Sequence, residues 1–312
     1  MLPSKSLPSA LDYIVQLNVL SSPSALDQPV HDLVAALCAE PDPEGPPVTD
    51  QMTNQTSADD HYDIEFFWDP VCPFAWITSR WVAKVAEQSN YSVDWRFISL
   101  RLLNKHKDYA TEFPPEYEAG HTAGLRMLRV AAAVRSERGR APLDALVAAY
   151  GHSYWDQPKG SGMRARLSST EHVEEVLTAA GLPTSYATAL DDTSWDALLD
   201  EETELALSRT GRDVGTPIIT FKPPAGLSFF GPVISRVPDD ADALPLWNAV
   251  ITLASFPGFA EMKRSLREVP QLNILGGAQP APKQEDWTGG HRAGHLANDR
   301  SKPSSETTTV HP

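Results

Sequence analysis

Apolar residues recur along the chain with two different periods, and the places where the period changes mark the elements. Residues 64–68 form a compact apolar run closed by Asp69-Pro70, which predicts a buried central strand. Pro73 then stands where proline suits a helix best, at its first position. Phe74, Ile77, Trp81 and Val85 follow at spacings of three and four, giving one apolar helix face that fades at Gln88-Ser89-Asn90. Val93, Trp95 and Phe97 alternate with Asp94 and Arg96, the signature of a second strand. A right-handed crossover makes the two strands parallel. Helical spacing then holds over 125–138, 142–154, 168–180 and about 194–209. Ser168 with Glu171 reads as a capping box, and Gly181-Leu182-Pro183 as a helix stop. No strand candidate interrupts this block, so it is expected to be an all-helical subdomain. Strand patterns return at 217–221 and 227–230, and the Pro-Pro-Ala-Gly between them suits a hairpin turn. A last helix over about 241–255 turns Leu244, Trp247, Val250 and Ile251 inward.

Composition narrows the function classes. The 312-residue chain is 41% hydrophobic, enough to bury a core in one or two domains. Its net charge of −15 argues against a nucleic-acid binder, which needs a basic stripe to displace counterions. No apolar stretch approaches the roughly 20 residues of a membrane helix. Two cysteines, Cys38 and Cys72, exclude a disulfide-stapled scaffold and a four-cysteine zinc site. Residues 1–60 hold one base, Lys5, against nine acids, together with eight of the 27 prolines. Their single helical candidate, 30–40, contains Cys38. Residues 271–312 balance four bases with four acids and end in a Ser-Thr-rich stretch. Both ends carry too little apolar surface to offset the entropy of ordering. They are expected to be mostly disordered, which leaves one folded domain over 61–270 with its helical insertion at about 111–210. Lys5 stands alone and Gln16 and Asn18 interrupt the apolar stretch at 13–20. No secretory signal is read there, and a cytoplasmic location is expected. Met52, at the head of the segment that leads into the folded part, is a candidate for an alternative translation start.

The chemistry is expected at Cys72, in the turn Asp69-Pro70-Val71-Cys72-Pro73-Phe74-Ala75-Trp76. A sulfur at a helix N-terminus faces unsatisfied backbone N–H groups and the positive end of the macrodipole. Both favour the nucleophilic thiolate, so a pKa below the free value of about 8.5 is expected. A cysteine here could equally be one more small buried residue. The register of strand, Cys-Pro and amphipathic helix weighs for function. Gly215-Thr216-Pro217 precedes a strand, where proline is allowed in any case. The sharper expectation is a cis peptide between Thr216 and Pro217 beside Cys72, leaving the Thr216 backbone free to pair with a bound thiol peptide.

This order of elements resembles the DsbA-like branch of the thioredoxin fold, an α/β class. Residues 67–81, Phe-Trp-Asp-Pro-Val-Cys-Pro-Phe-Ala-Trp-Ile-Thr-Ser-Arg-Trp, are similar to the active-site segment of the mycothiol-dependent nitroreductase family. So are Gly215-Thr216-Pro217, Phe229 through Ser235 and Trp247 through Lys263. The resemblance covers about residues 61–270. It implies a thiol oxidoreductase with Cys72 as nucleophile, and with Pro73, Phe74, Trp68, Trp76, Thr216 and Pro217 around the substrate. The partners implied are a low-molecular-weight thiol co-substrate such as mycothiol and a small aromatic, nitro or disulfide substrate, with no covalently bound cofactor. One position departs from the family's Cys-Pro-Trp-Cys. Ala75 stands where the second cysteine belongs, and Phe74 replaces the tryptophan. A monothiol cycle, in which a second small thiol resolves the adduct, is therefore expected in place of dithiol chemistry. A thiol-dependent isomerase of the same fold and a redox-inactive binding protein are the alternatives.

Other signals are weaker. Arg126, Arg129, Arg135 and Arg138 make one helix basic, as a solvated face or as an anchor for the carboxylate or sugar end of a thiol. His291 and His295 have the spacing of a metal pair but no third ligand, so no metal is expected. Trp68, Phe74 and Trp76 either stack on an aromatic substrate or belong to the core. No phosphate loop, nucleophile-elbow serine or dinucleotide fingerprint is present.

Overall fold

The computed structural model describes residues 61–264, 266–278 and 284–286. The acidic leader with the 30–40 candidate and Cys38, and the end of the tail with His291 and His295, lie outside the described residues. Strand β1 (Ile64–Trp68) leads into helix α1 (Pro73–Ser89), and β2 (Val93–Phe97) returns parallel to β1. Short helices α2 (Leu100–Leu103) and α3 (Tyr109–Glu112) precede α4 (Pro115–Arg138), α5 (Leu143–Trp155), α6 (Met163–Arg166) and α7 (Thr170–Ala179). Two 3₁₀ segments, Thr184–Asp191 and Thr193–Trp195, connect to α8 (Asp196–Thr210). The chain then re-enters the sheet as β3 (Ile218–Phe221) and β4 (Leu227–Phe230), both antiparallel to their neighbours, and α9 (Asp240–Ala254) follows. The sheet order is β2-β1-β3-β4. A parallel strand–helix–strand unit, a helical insertion, an antiparallel hairpin and a closing helix make up the DsbA-like thioredoxin fold.

Side-chain alternation divides the sheet into two faces. Ile64, Phe66 and Trp68 join the main core with α1, α4 and α5, whereas Phe67 packs with Ile98, Ala206, Leu207 and Ile218 on the α8 side. Helix α9 closes over α1, where the Trp81 Nε1–H donates to the Ala243 carbonyl at 2.8 Å. The Trp81 and Trp247 rings meet edge-on at 5.9 Å. In α9 only Ala243 and Trp247 are fully buried; Leu244, Val250 and Ile251 are half-covered.

Three expectations shift. Helix α4 starts at Pro115, ten positions before the apolar pattern is readable, because Gly120, Thr122 and Gly124 dilute its face. The cap of α7 is Ser169, whose Oγ accepts the His172 N–H at 3.2 Å, not Ser168. The described elements also run past residue 270. Leu272 is buried in the main core, the Gln271 N–H donates to the Ser235 carbonyl at 2.7 Å, and β5 (Leu266–Glu268) pairs with β6 (Gln284–Asp286). One well-placed leucine docks the start of a segment whose average composition reads as disordered.

Polar residues fill part of the α8 side of the sheet. Glu65, Asp94 and Arg96 all leave the sheet on that face. Arg96 reaches Glu65 and Glu202 at 3.1 Å each, and Arg209 pairs with Glu65. Arg135 holds Glu202 at 2.7 Å, and Arg140 holds Asp94. Burying these charges is tolerable because each group sits against an opposite charge, with only Asp94 Oδ1 and Arg96 Nε of the cluster left without a hydrogen bond.

Candidate active site

The end of β1 turns sharply through Asp69, Pro70 and Val71 before α1 begins. Asp69 organises that turn. Its main-chain carbonyl accepts the Cys72 N–H at 3.1 Å. Its carboxylate accepts the Val71 N–H at 2.9 Å and the Leu100 N–H at 2.8 Å. Cys72 is the N-cap of α1 in an extended conformation, and its Sγ accepts the Ala75 N–H at 3.4 Å. Opposite it, the thiol donates to the Thr216 carbonyl at 3.4 Å, across 144 residues of sequence. The Thr216 hydroxyl donates to the Phe67 carbonyl at 3.4 Å, and the Thr216–Pro217 peptide is cis. The fold thus brings Cys72, Thr216 and Pro217 together.

The electrostatics correct one expectation. The amides of Ala75 and Phe74 do favour the thiolate, as the cap geometry requires. Burial outweighs them and pushes the Cys72 thiol up to about 12, and the charge of Asp69 adds to the rise. With the residue 6% exposed, losing the hydration of an anion costs more than two N–H dipoles return. Cys72 is therefore a neutral thiol at rest. Asp69, 1% exposed, is itself raised to about 7 by burial, against the pull of its two N–H donors.

The aromatic candidates separate. Trp68 and Trp76 are core residues, at 3% and 7% exposure. Trp76 lies flat against Gly151, where even a Cβ would come within 1.9 Å of the ring. His152 meets the ring edge at 5.0 Å and the Arg80 guanidinium covers it at 4.5 Å. Neither tryptophan is open to stack on a substrate. Pro73 and Phe74 are half-buried on the first turn of α1. A cavity of about 10 Å³ runs beside that turn, lined by Trp68, Asp69, Ala75, Trp76 and Trp155 among others. It is the space of one water at most, and Ala75 forms one of its walls.

Each of the four arginines of α4 pairs within the chain, with Arg129 buried, Arg126 and Arg135 half-buried and Arg138 exposed. Arg126 binds Asp191 and the Ser168 carbonyl, and Arg129 makes a two-pronged pair with Asp196 at 2.7 and 2.8 Å. Arg135 holds Glu202, and Arg138 donates to the Tyr186 hydroxyl at 3.0 Å. They staple α4 to the segments that follow it. Asp69 is the site residue that the sequence reading passed over as a strand terminator. A carboxylate three positions before a cap residue, able to accept amides from its own turn, was the available signal. Among the described residues no group of three His, Cys, Asp or Glu is placed to hold a metal, and no helix is long and apolar enough to cross a membrane.

Comparison with known proteins gives the site its context. An uncharacterized protein of Mycobacterium tuberculosis, Rv2286c, is 27% identical over 240 residues, which cover 76% of this chain and 96% of that protein. Among solved structures, a probable DsbA oxidoreductase from Streptomyces coelicolor covers 71% of this chain and 100% of its own, at 15% identity and a TM-score of 0.40. The cytosolic disulfide reductase DsbM from Pseudomonas aeruginosa covers 61% and 98%, at 15% identity and a TM-score of 0.38. The model of the Rv2466c-like family, described as mycothiol-dependent nitroreductase Rv2466c, matches residues 71–264. That match spans more than half of the chain and starts one residue before the candidate sulfur: the protein belongs to the Rv2466c-like family of mycothiol-dependent nitroreductases, a family of thiol oxidoreductases.

Proposed function

We propose that this chain catalyses thiol–disulfide exchange through Cys72 alone, with a low-molecular-weight thiol of the mycothiol type as co-substrate. The observation that carries the reading is the position of the sulfur. Cys72 Sγ caps α1 and touches the Thr216 carbonyl at 3.4 Å, while the first residue of the next turn that could carry a second sulfur is Ala75. In the first step the Cys72 thiolate attacks one sulfur of a disulfide R–S–S–R′. The old S–S bond breaks, R′S⁻ leaves and takes a proton, and Cys72–S–S–R remains. A thiolate RS⁻ then attacks the R sulfur, giving RS–SR and returning Cys72. One disulfide is consumed and one is formed, so no further oxidant or reductant enters. The neutral resting thiol sets the order of events. A substrate amide that takes over the Thr216 carbonyl frees the sulfhydryl from its acceptor, and ionisation follows docking. Reduced small thiols are kept available in the cytoplasm, where the cycle is placed. Pro73, Phe74, Thr216 and Pro217 form the substrate edge.

Mixing the purified protein with an oxidised small thiol is expected to add one thiol mass to Cys72, removable by excess reduced thiol. Intact folded protein that never takes up the adduct would sink the exchange cycle. It would instead support a redox-inactive binding protein, the second reading, which the burial of Cys72 favours.

Restoring the missing sulfur gives an independent measure. Ala75→Cys places two thiols one helical turn apart at the start of α1, where the adjoining cavity gives the new sulfur room. The variant is expected to gain reduction of insulin disulfides, read as precipitation, that the natural chain lacks. A variant that folds and forms no 72–75 disulfide would show that the surroundings no longer support dithiol chemistry.

A further inference from the structure

Asp69 is a buried carboxylate that the exchange cycle does not use. Its two oxygens hold the Val71 and Leu100 amides, and its carbonyl holds the Cys72 amide, so one residue ties the end of β1 to the active-site turn and to α2. Helix α4 seals it from the other side. A Cβ on Gly124 would come within 2.6 Å of Asp69 Oδ1 and 2.8 Å of the Val71 methyl. The glycine is therefore what lets α4 close over the carboxylate. An anion enclosed in this way is little screened by bulk solvent from the sulfur three residues further along the chain.

We propose that Asp69 is a positioning residue whose charge restrains Cys72: the ionised carboxylate pins the turn and opposes the thiolate, and loss of that charge releases the thiol. The inference rests on the exchange reading for its biological meaning, though not for its test. A protonated carboxyl keeps one good acceptor instead of two, so the same event that removes the opposing charge also loosens the hold on Val71 or Leu100. Asp69 is placed to make this change close to neutrality, because burial raises it to about 7.

The surrounding groups leave it to act largely alone. Cys72 on α1, Tyr109 on α3 and Tyr150 on α5 are all raised by burial and stay neutral. His121 on α4 bonds to the Tyr109 hydroxyl at 2.8 Å and is held down at about 4 by burial and by Arg101. Arg101 on α2 pairs with Glu118 on α4 at 3.4 Å. From α5, His152 pairs with Asp156 at 2.6 Å and meets the ring of Trp76, not the carboxylate.

The test is the rate of Cys72 modification by methyl methanethiosulfonate from about pH 5.5 to 9, which requires no turnover. In the natural protein the logarithm of the rate is expected to climb with unit slope, flatten to about half that slope over roughly pH 7 to 8 as Asp69 ionises, and climb again with unit slope. Asp69→Asn should remove the shallow region, match the natural protein near pH 5.5, and exceed it about tenfold above pH 8, the equivalent of one pKa unit. His152→Gln should leave the shallow region in place. A natural profile of unit slope throughout overturns the proposal, and needs no variant to fold. So does an Asp69→Asn profile raised equally at every pH, which is the mark of a merely loosened turn, or a shallow region that disappears in His152→Gln. If methyl methanethiosulfonate modifies Cys72 while the oxidised small thiol leaves no adduct, the exchange cycle falls and this profile still decides the role of Asp69; a Cys72 that neither reagent reaches overturns both.

Discussion

Cys72→Ser is expected to abolish exchange, lowering turnover by roughly three orders of magnitude or more, because the nucleophile has no deputy in the described part of the chain. Serine caps helices well, so the Ala75 N–H keeps an acceptor and thermal unfolding should move little. The two measurements belong together: lost turnover with unchanged melting identifies a chemical role for the sulfur. Unchanged activity in the same variant would place this chain among binding proteins that keep the family's groove without its chemistry.

Glu202→Ala is expected to be the most damaging single change to stability. Glu202 is 8% exposed, holds Arg135 through two hydrogen bonds and Arg96 at 3.1 Å, and accepts the Phe97 amide at 2.9 Å. Removing it leaves the Arg135 guanidinium and the Phe97 amide without their acceptor and Arg96 with only Glu65 and Asp94, a loss of about 3–5 kcal/mol. Urea unfolding at pH 7 reads that loss directly; a change below about 1 kcal/mol would mean the arginines find other acceptors. The pH dependence has a definite sign. Pairing with Arg135 and Arg96 holds the Glu202 carboxyl below its ordinary value of 4.5 despite burial. Its stabilisation is therefore complete above pH 4.5 and is lost as pH falls through the lower folded value. The gap between the natural protein and Glu202→Gln should narrow over that acid range and stay constant from pH 5 to 8.

These two sites differ in how far the sequence reveals them. Cys72 is legible because everything that marks it is local: an apolar strand, a tight turn, proline at the first helical position and a face at three-four spacing. Glu202 is not, because its partners come from β2 and α4 and nothing in its own helix announces them. Glu65 shows the same gap. It sits inside a run that reads as a continuous buried strand, and only the arrival of Arg209 and Arg96 across the sheet makes its burial tolerable. The basic positions of α4 mislead for a related reason. Arginines at helical spacing look the same in sequence whether they face water, a ligand or carboxylates on neighbouring segments.

The local elements, the parallel β1–β2 pair, the β3–β4 hairpin and the place of the candidate sulfur were thus written in the order of residues, since strand period, helix period and cap geometry depend on near neighbours. The charge state of that atom was not. Thr216 arrives from 144 residues away, α4 closes through Gly124, and Asp69 is buried beneath it. Solvation is a property of the whole packed surface rather than of any segment, and here the loss of water outweighs the helix dipole that the segment alone predicts.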